Sequence, residues 1–304
     1  MEKEPNSRGS LAFSSALVLL RPKTFGIRSR GFRPPVNKLT PTFRQRIVST
    51  ATDYEHVLHC FGKVAHRVGL SVSQQQSLLK LSETLHRTNS LYNLTGIRTR
   101  HGIIAKHLID ALTLLPFLDE QAPNRIVDVG TGAGFPGLVI AISRPEWSMT
   151  LVDSVRKKVS FHEQIISDFG LRNVQSVWGR AEHIAKGQLR ESFCIAVARS
   201  VAEMRVLAEL TLPLVQVGGY VMAQKTVDAQ HKELIAAENS IRLCGGQLLH
   251  VLDAWPSRGV EFVSAQDLPP LADLASNKII VVKKERRTPA KYPRRAGVPK
   301  KTPL

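Results

Sequence analysis

The chain has 304 residues and a mass of 33.7 kDa, with 43% hydrophobic and 22% charged residues. This composition excludes collagen-like, coiled-coil and wholly disordered chains. The formal net charge of +17 is concentrated at the two ends. Residues 1–52 carry ten Lys and Arg against two acids, residues 283–304 carry nine against one, and residues 53–282 carry 23 against 22. The distribution indicates a near-neutral body with a basic leader and a basic tail, not a protein that coats nucleic acid.

The first 52 residues have the composition of a targeting peptide. Seven arginines and several Ser and Thr occur there, and no acid follows Glu4 until residue 53. We predict a disordered transit peptide for the chloroplast, with the mitochondrion as the alternative. The apolar run 11–20 also resembles a secretory signal, and an untargeted basic arm is a further possibility. Ten apolar residues are too few to cross a bilayer, so we predict no membrane association.

The three cysteines, Cys60, Cys194 and Cys244, are far apart and form no C-x-x-C pair. Neither a disulfide framework nor a zinc site fits this spacing. The histidines near the start of the body have no set of acids or cysteines around them. We therefore predict no bound metal.

The body begins with helices. Apolar residues at helical spacing predict two helices over 53–92, with a break at Gly69, and a third over 101–118 that stops near Pro116. We assign 53–120 to a helical N-terminal extension, 121–284 to an α/β domain and 285–304 to the basic tail. The tail is interpreted either as a solvated end or as a cationic arm along phosphates, with Tyr292 able to stack on a base.

From residue 125 short apolar runs alternate with helical stretches. The predicted strands are 125–129, 148–152, 174–178, 193–198, 219–224, 247–252 and 278–283; the predicted helices are 135–144, 155–169, 203–216 and 228–243. Alternation of this kind predicts a mostly parallel, Rossmann-like sheet with helices on both faces. The last two strands have no convincing helix between them, so they can pair antiparallel at one edge.

The first strand leads into a glycine-rich turn that fits two templates. Gly132, Gly134 and Gly137 match the dinucleotide fingerprint G-x-G-x-x-G. Asp128 and Gly130 extend the match to D-x-G-x-G-x-G, the first motif of class I methyltransferases, which use S-adenosylmethionine (SAM). A carboxylate at the end of the strand disfavours a pyrophosphate and suits a ligand with an ammonium and a sulfonium. This favours SAM, and a nicotinamide dinucleotide stays as the alternative.

Polar residues also follow the next three strands. Asp153 ends the second strand, where it can accept both ribose hydroxyls of either ligand. The loop 179–182 after the third strand is placed to flank an adenine. Arg199 ends the fourth strand, at the edge where ligands of open sheets collect, although a surface salt bridge is an equal alternative. Three cations, at positions 156–158, lie in the first turn of a predicted helix, where the helix dipole disfavours positive charge. Contact with RNA phosphates would explain them, and a solvated charged face is an equal alternative.

Together these residues resemble the bacterial small-subunit ribosomal RNA guanine-N7 methyltransferases, the glucose-inhibited division protein B family. The resemblance covers roughly residues 55–304 and leaves the first 50 without a counterpart. The matching segments are YNLT at 92–95, His107 with Asp110, DVGTGAGFPG at 128–137, LVDSVRKKVSF at 151–161, GRAE at 179–182, ARSVA at 198–202 and the tail from Arg287. Two departures, Ala111 and the cations 156–158, affect only the RNA side.

The resemblance implies the fold of a class I SAM-dependent methyltransferase that modifies N7 of a guanine in small-subunit ribosomal RNA, here of an organellar ribosome. It implies SAM contacts from Gly130, Phe135, Ala181, Glu182 and Arg199, to which the residue patterns add Asp128, Gly132, Gly134 and Asp153. It also places Lys157, Lys158 and Arg180 on the RNA side, with the small ribosomal subunit as partner. An NAD(P)-dependent oxidoreductase and a non-catalytic RNA-binding assembly factor are the alternatives.

Methylation at N7 needs no general base, because that nitrogen already has a free lone pair. The reaction is then an in-line displacement driven by positioning and electrostatics. We therefore assign no catalytic base. His107 and Asp110 lie one helical turn apart, and we interpret them as a cap or bridge within the helical extension.

Overall fold

The computed structural model describes residues 43–226, 232–254 and 276–304, with side chains from Asp53 onward. Helix α1 begins at Phe43, inside the range 1–52 that we assigned to a disordered leader. The helical extension therefore starts about ten residues earlier than expected. The rest of the proposed leader, 1–42, lies outside the described residues.

The extension contains the expected helices with clear boundaries. α1 (Phe43–Arg67) ends before Gly69, whose φ of +74° suits glycine. α2 (Val72–Tyr92) starts with a capping box between Ser71 and Gln74 and ends at Asn93, which is left-handed. The predicted third helix is interrupted. It consists of α3 (Arg100–Ile103), a π-helical turn (Ile104–Ile109), α4 (Asp110–Leu112) and, after a short turn, α5 (Leu115–Gln121).

The helical stretch Arg100–Gln121 is long and apolar enough to meet the criteria for a membrane span. However, 78% of its most apolar window is buried inside the protein. The stretch packs between the extension and the sheet as a core element, which accounts for its hydropathy.

All seven predicted strands are present. They are β1 (Arg125–Val129), β2 (Ser148–Asp153), β3 (Val174–Trp178), β4 (Phe193–Arg199), β5 (Val215–Thr226), β6 (Gly246–Asp253) and β7 (Asn277–Lys284). Between them lie α6 (Gly137–Ser143), α7 (Arg156–Asp168), α8 (Ala181–Ile184), α9 (Met204–Thr211) and α10 (Lys232–Leu243).

The strand order is β3-β2-β1-β4-β5-β7-β6. β1 to β5 pair in parallel, and β7 is inserted antiparallel between β5 and β6. This confirms the expected mostly parallel α/β fold with antiparallel pairing near one edge. The order reverses between β1 and β4, so a crevice opens at the carboxyl ends of these two strands.

Both faces of the sheet are covered. Along β1, Ile126 faces a core shared with α1, α2 and α6, while Val127 faces a core shared with α9 and α10. Burial on both faces explains why the strands are continuous apolar runs.

The basic tail is neither frayed nor a free arm. Tyr292 is buried in the second core, so it is not available to stack on a base. Arg190 donates to the carbonyl oxygens of Thr288 at 2.7 Å and Tyr292 at 2.9 Å. The tail includes a short helix, α11 (Val298–Lys301), so the solvated end and the stacking by Tyr292 are corrected, whereas contact of its cations with phosphates stays a prediction.

Candidate functional site

The buried carboxylate of Asp128 holds the glycine loop through hydrogen bonds. Its Oδ2 accepts hydrogen bonds from the Thr131 hydroxyl at 2.5 Å and from the Gly137 amide at 2.7 Å. The side chain is fully buried, and burial raises its pKa to about 6 against the opposing effect of these hydrogen bonds. It lines neither of the cavities described below. The carboxylate therefore holds the loop in shape, and its direct recognition of a cationic ligand stays a prediction.

The glycines allow close packing in this loop. Gly130, Gly132 and Gly134 all have positive φ angles, +69°, +65° and +96°. A Cβ at Gly134 would lie 2.3 Å from Leu138 Cδ1, and one at Gly137 would lie 2.3 Å from Leu151 Cδ2. Gly134 thus fixes the turn without facing a cavity, whereas Gly130 and Gly132 line the site.

Asp153 joins the loop to the end of β2. Its two oxygens accept from the Gly132 amide at 2.9 Å and the Val155 amide at 2.8 Å, and the Lys158 ammonium lies 3.9 Å away. On the far side of the loop, His162 Nε2 donates to the Gly132 carbonyl at 2.8 Å, since that oxygen can only accept. Gly132 is therefore held on both sides.

A larger cavity of about 490 Å³ opens over the glycine loop at the carboxyl edge of the sheet. Its wall includes predicted residues and others that the sequence analysis did not place in the site. The former are Gly130, Gly132, Phe135, Lys158 and Arg199, and the latter include Thr95, Lys106, His107, Asp110, Gln224 and Asn277.

Arg199 organises this cavity. Its Nη1 donates to Asp110 Oδ2 at 2.9 Å and to the Lys106 carbonyl at 2.7 Å, and its Nη2 donates to His107 Nδ1 at 2.7 Å. His107 also stacks on Phe135, with ring centroids 4.6 Å apart. His107 and Asp110 therefore connect the extension to β4 inside the site, which corrects our interpretation of them as a bridge within the extension.

The charge state of His107 follows from these contacts. A guanidinium only donates, so Nδ1 must carry a lone pair and Nε2 the proton, which is shared with Thr95 Oγ1 at 3.0 Å. Burial, with Arg199 adding to it, lowers the pKa of His107 to about 3. The imidazole is neutral at physiological pH, and its lone pair is occupied by Arg199.

Gln224, near the end of β5, has a side-chain amide of which only the nitrogen is hydrogen-bonded to the described part of the chain. Its Nε2 donates to the Asp110 carbonyl at 2.7 Å, which fixes the amide orientation. Its buried Oε1 has no hydrogen-bond partner in the described ranges. A buried acceptor without a partner costs free energy, and Asp128 Oδ1 beneath the glycine loop is a second such atom among the described residues.

A smaller cavity of about 220 Å³ lies on the other side of Gly130, which lines both. The loop 179–182 lines it, and its polar residues are Asp153, Ser154, Arg180, Glu182 and Lys300. Its apolar wall includes Val201, Val206 and Leu210. Four residues that the sequence analysis assigned to a ligand therefore meet around one cavity: Gly130, Asp153, Ala181 and Glu182.

The three residues assigned to RNA are dispersed. Lys157 is exposed on α7, while Lys158 lines the larger cavity and Arg180 the smaller one. Arg180 also pairs with Glu182 at 3.1 Å. Their contact with RNA stays a prediction.

Known proteins were then compared with the chain. The family model described as rRNA small subunit methyltransferase G matches residues 74–258. A protein named "Ribosomal RNA small subunit methyltransferase G" from Clostridium beijerinckii is 40% identical over 245 residues, which cover 80% of this chain and 96% of the relative. Its namesake from Moorella thermoacetica is 37% identical over 255 residues, covering 83% and 99%.

The chain belongs to this family. The resemblance drawn from its motifs is thus confirmed. Among solved structures, the citrinin polyketide synthase CMeT domain is similar at a TM-score of 0.44 and 11% identity, covering 58% of this chain and 52% of that one. The M. jannaschii TYW2 structure in complex with AdoMet is similar at a TM-score of 0.40 and 12% identity, covering 52% and 66%. These likenesses are distant, so the assignment to the rRNA small subunit methyltransferase G family rests on the sequence relatives.

Proposed function

We propose that this protein transfers a methyl group from SAM to N7 of a guanine in small-subunit ribosomal RNA. The observation that carries the proposal is the pair of cavities that share Gly130, in a member of the rRNA small subunit methyltransferase G family. The smaller cavity suits the adenosine of SAM and the larger cavity suits the guanine base. The methyl–sulfur bond of SAM and the N7 atom of guanine would then meet above the glycine loop.

The residues present fit SAM. In the smaller cavity Asp153 offers a carboxylate suited to a ribose diol, next to the apolar wall of Val201, Val206 and Leu210, which suits an adenine face. Gly130 lies at the junction, where an ideal Cβ would approach Val201 Cγ2 to 2.9 Å. Gly130 lines both cavities, so a ligand that spans them would run along its backbone. Bound at this junction, SAM supplies a methyl group on a sulfonium centre.

The larger cavity supports guanine as the acceptor base. The Watson–Crick edge of guanine carries N–H donors at N1 and N2, and Gln224, whose amide has an acceptor oxygen, is one of the residues that line the cavity. When N7 faces the methyl donor, that edge points away from it. Lys158 and Lys225 also line the cavity and match the anionic RNA backbone.

The chain's own task is to bind and orient. N7 brings its own lone pair, so no residue has to remove a proton. His107 is neutral and its Nδ1 accepts from Arg199, which agrees with a structural and electrostatic role. The guanidinium of Arg199 is held in one orientation at the cavity wall by three partners.

The decisive experiment incubates the purified protein with SAM and small ribosomal subunits that lack the modification. Mass spectrometry of the digested RNA is expected to show one new N7-methylguanosine. Methylation of another atom, or none, contradicts the proposal. Fluorescence titration with NAD(P)H tests the oxidoreductase alternative. A Gly130→Asp variant that no longer binds SAM but still supports subunit assembly would favour the assembly-factor alternative.

We also propose that the protein acts on a chloroplast ribosome, with the mitochondrion as the alternative. The proposal rests on the arginine-rich composition of the leader, which has no acid between Glu4 and Asp53. Sequencing the N terminus of the protein from isolated organelles tests it. A mature terminus within the leader supports import, and an intact Met1 contradicts it.

A further inference from the structure

The end of the basic tail lies against the smaller cavity. Pro299 and Lys300 line it together with Asp153 and Glu182. The Gly297 amide donates to Glu182 Oε1 at 2.9 Å, and Glu182 is almost fully buried. Residues 297–300, here called the closing segment, thus form a wall opposite the end of β2.

The closing segment is fixed on both sides. Before it, the Arg294 guanidinium binds both oxygens of the fully buried Glu209, at 2.6 Å and 2.9 Å for the shortest contact to each. After it, Leu304 packs against the core that contains α9. The segment is therefore a built part of the cavity.

The charge state of Glu182 supports the contact. Burial alone raises its pKa, but hydrogen bonds from the Gly297 amide, its own amide and Arg180 outweigh that effect, so the net pKa lies below the usual value. Glu182 is ionised at neutral pH and holds the closing segment through a charge-assisted hydrogen bond. Its Oε1 is already engaged by Gly297 and Arg180.

Lys300 contributes a cation with unused donors. Across the described ranges its ammonium makes no hydrogen bond or ion pair, and the other charged groups that line this cavity are Asp153, Glu182 and Arg180. Adenine presents ring-nitrogen acceptors and the ribose presents oxygens, which an ammonium can reach as a donor.

We propose that the closing segment is part of the SAM site, with Pro299 packing on the adenosine moiety and Lys300 donating a hydrogen bond to it. This rests on the proposed function in so far as SAM is the methyl donor. It gives the end of the tail a role in binding the small molecule, and not primarily in binding RNA.

The test compares Lys300→Ala with Lys301→Ala in the full chain. Lys300 and Lys301 are both exposed, but only Lys300 lines the cavity. Calorimetry with S-adenosylhomocysteine and with SAM is expected to show a Kd raised about 3- to 10-fold for Lys300→Ala, the size of one hydrogen bond, and an unchanged Kd for Lys301→Ala. Equal affinities of the two variants overturn the proposal.

A chain that ends at Ala296 keeps the Arg294–Glu209 pair and removes the wall. We expect its Kd for SAM to rise more than about tenfold, beyond the loss of one contact, with a native circular dichroism spectrum. If the truncated chain does not fold, the comparison of Lys300→Ala with Lys301→Ala still tests whether the closing segment contacts SAM.

The readouts separate this inference from the proposed function. If the wild-type protein does not bind SAM, both this inference and the proposed function are overturned. If the wild type binds SAM and Lys300→Ala raises only the KM for small subunits, the segment contacts RNA and only this inference is overturned.

Discussion

Arg199 Nη2 lies 2.7 Å from His107 Nδ1, and this contact joins the helical extension to the carboxyl end of β4. The two residues are 92 positions apart in the chain. The contact fixes the tautomer of the imidazole, occupies its lone pair and orients the guanidinium at the wall of the larger cavity.

The first prediction concerns this imidazole. The pKa of His107 is lowered to about 3, against an ordinary value of 6.5, so the unfolded chain binds more protons between these two values. The stability contributed by His107 is complete above about pH 6.5 and is lost as the pH falls. We expect the free energy of unfolding to fall by up to about 1.4 kcal/mol per pH unit more steeply for the wild type than for His107→Gln. Urea unfolding at pH 5, 6 and 7 measures the difference, and parallel pH profiles would contradict it.

The contribution of Asp128 to stability depends on pH in the opposite direction to that of His107. Its folded pKa of about 6 exceeds the ordinary 3.8, so its contribution is complete below about pH 4 and is lost as the pH rises through 6. Asp128→Asn keeps an oxygen that can accept from Thr131 and Gly137 and removes this loss. Between pH 4 and 6, the stability difference between the two proteins is therefore expected to shift in favour of the amide variant. Urea unfolding across this range measures the shift, and a difference that does not change with pH would contradict it.

The same variant tests the role of the carboxylate in binding. Since Asp128 lines neither cavity, we expect the Kd for SAM to change less than about threefold in Asp128→Asn, below the 1.4 kcal/mol that a tenfold change represents. A loss of tenfold or more in calorimetry restores the direct recognition of the sulfonium that the sequence suggested.

Gly130, between the two cavities, is expected to be the glycine whose substitution weakens SAM binding. Gly130→Ala combines a φ of +69° with a 2.9 Å approach to Val201, between the two cavities. Gly218→Ala is the matched control, because its φ is +88° but nothing lies within 4 Å of the new Cβ. The left-handed φ costs each variant about 1–2 kcal/mol of stability, and Gly130→Ala loses more because Val201 must also move. Only Gly130→Ala is expected to weaken SAM binding. Thermal unfolding and calorimetry separate the two effects, and equal affinities argue against ligand passage at Gly130.

Arg294 is expected to hold the tail in place. Arg294→Ala leaves Glu209 buried and unpaired, at a cost of about 3–5 kcal/mol. Limited proteolysis should then remove the C-terminal residues from this variant before the body is cut. Arg295→Ala, the exposed neighbour, serves as the control and should resist like the wild type. Resistance of both variants would show that the ion pair does not fix the tail.

Most strands were predictable because burial on both faces makes them apolar runs, although β3 at the edge of the sheet is only partly buried. β1 and β3 have the bounds that the runs 125–129 and 174–178 predict. The insertion of β7 between β5 and β6 was not predictable, since strand order depends on pairing between distant segments.

The site was predictable where residues follow strands directly. Gly130, Asp153 and the loop 179–182 meet because parallel strands end at one edge. His107 and Asp110 were assigned to the wrong role because their partner, Arg199, is about 90 residues away. The tail was misjudged for the same reason: Arg294 finds its buried carboxylate 85 residues upstream.

The most direct test of the central claim is a crystal structure of the protein with S-adenosylhomocysteine. We expect the adenosine to lie in the smaller cavity, with its ribose at Asp153 and its thioether over Gly130. Adenosine in the larger cavity, against Arg199 and His107, would contradict it.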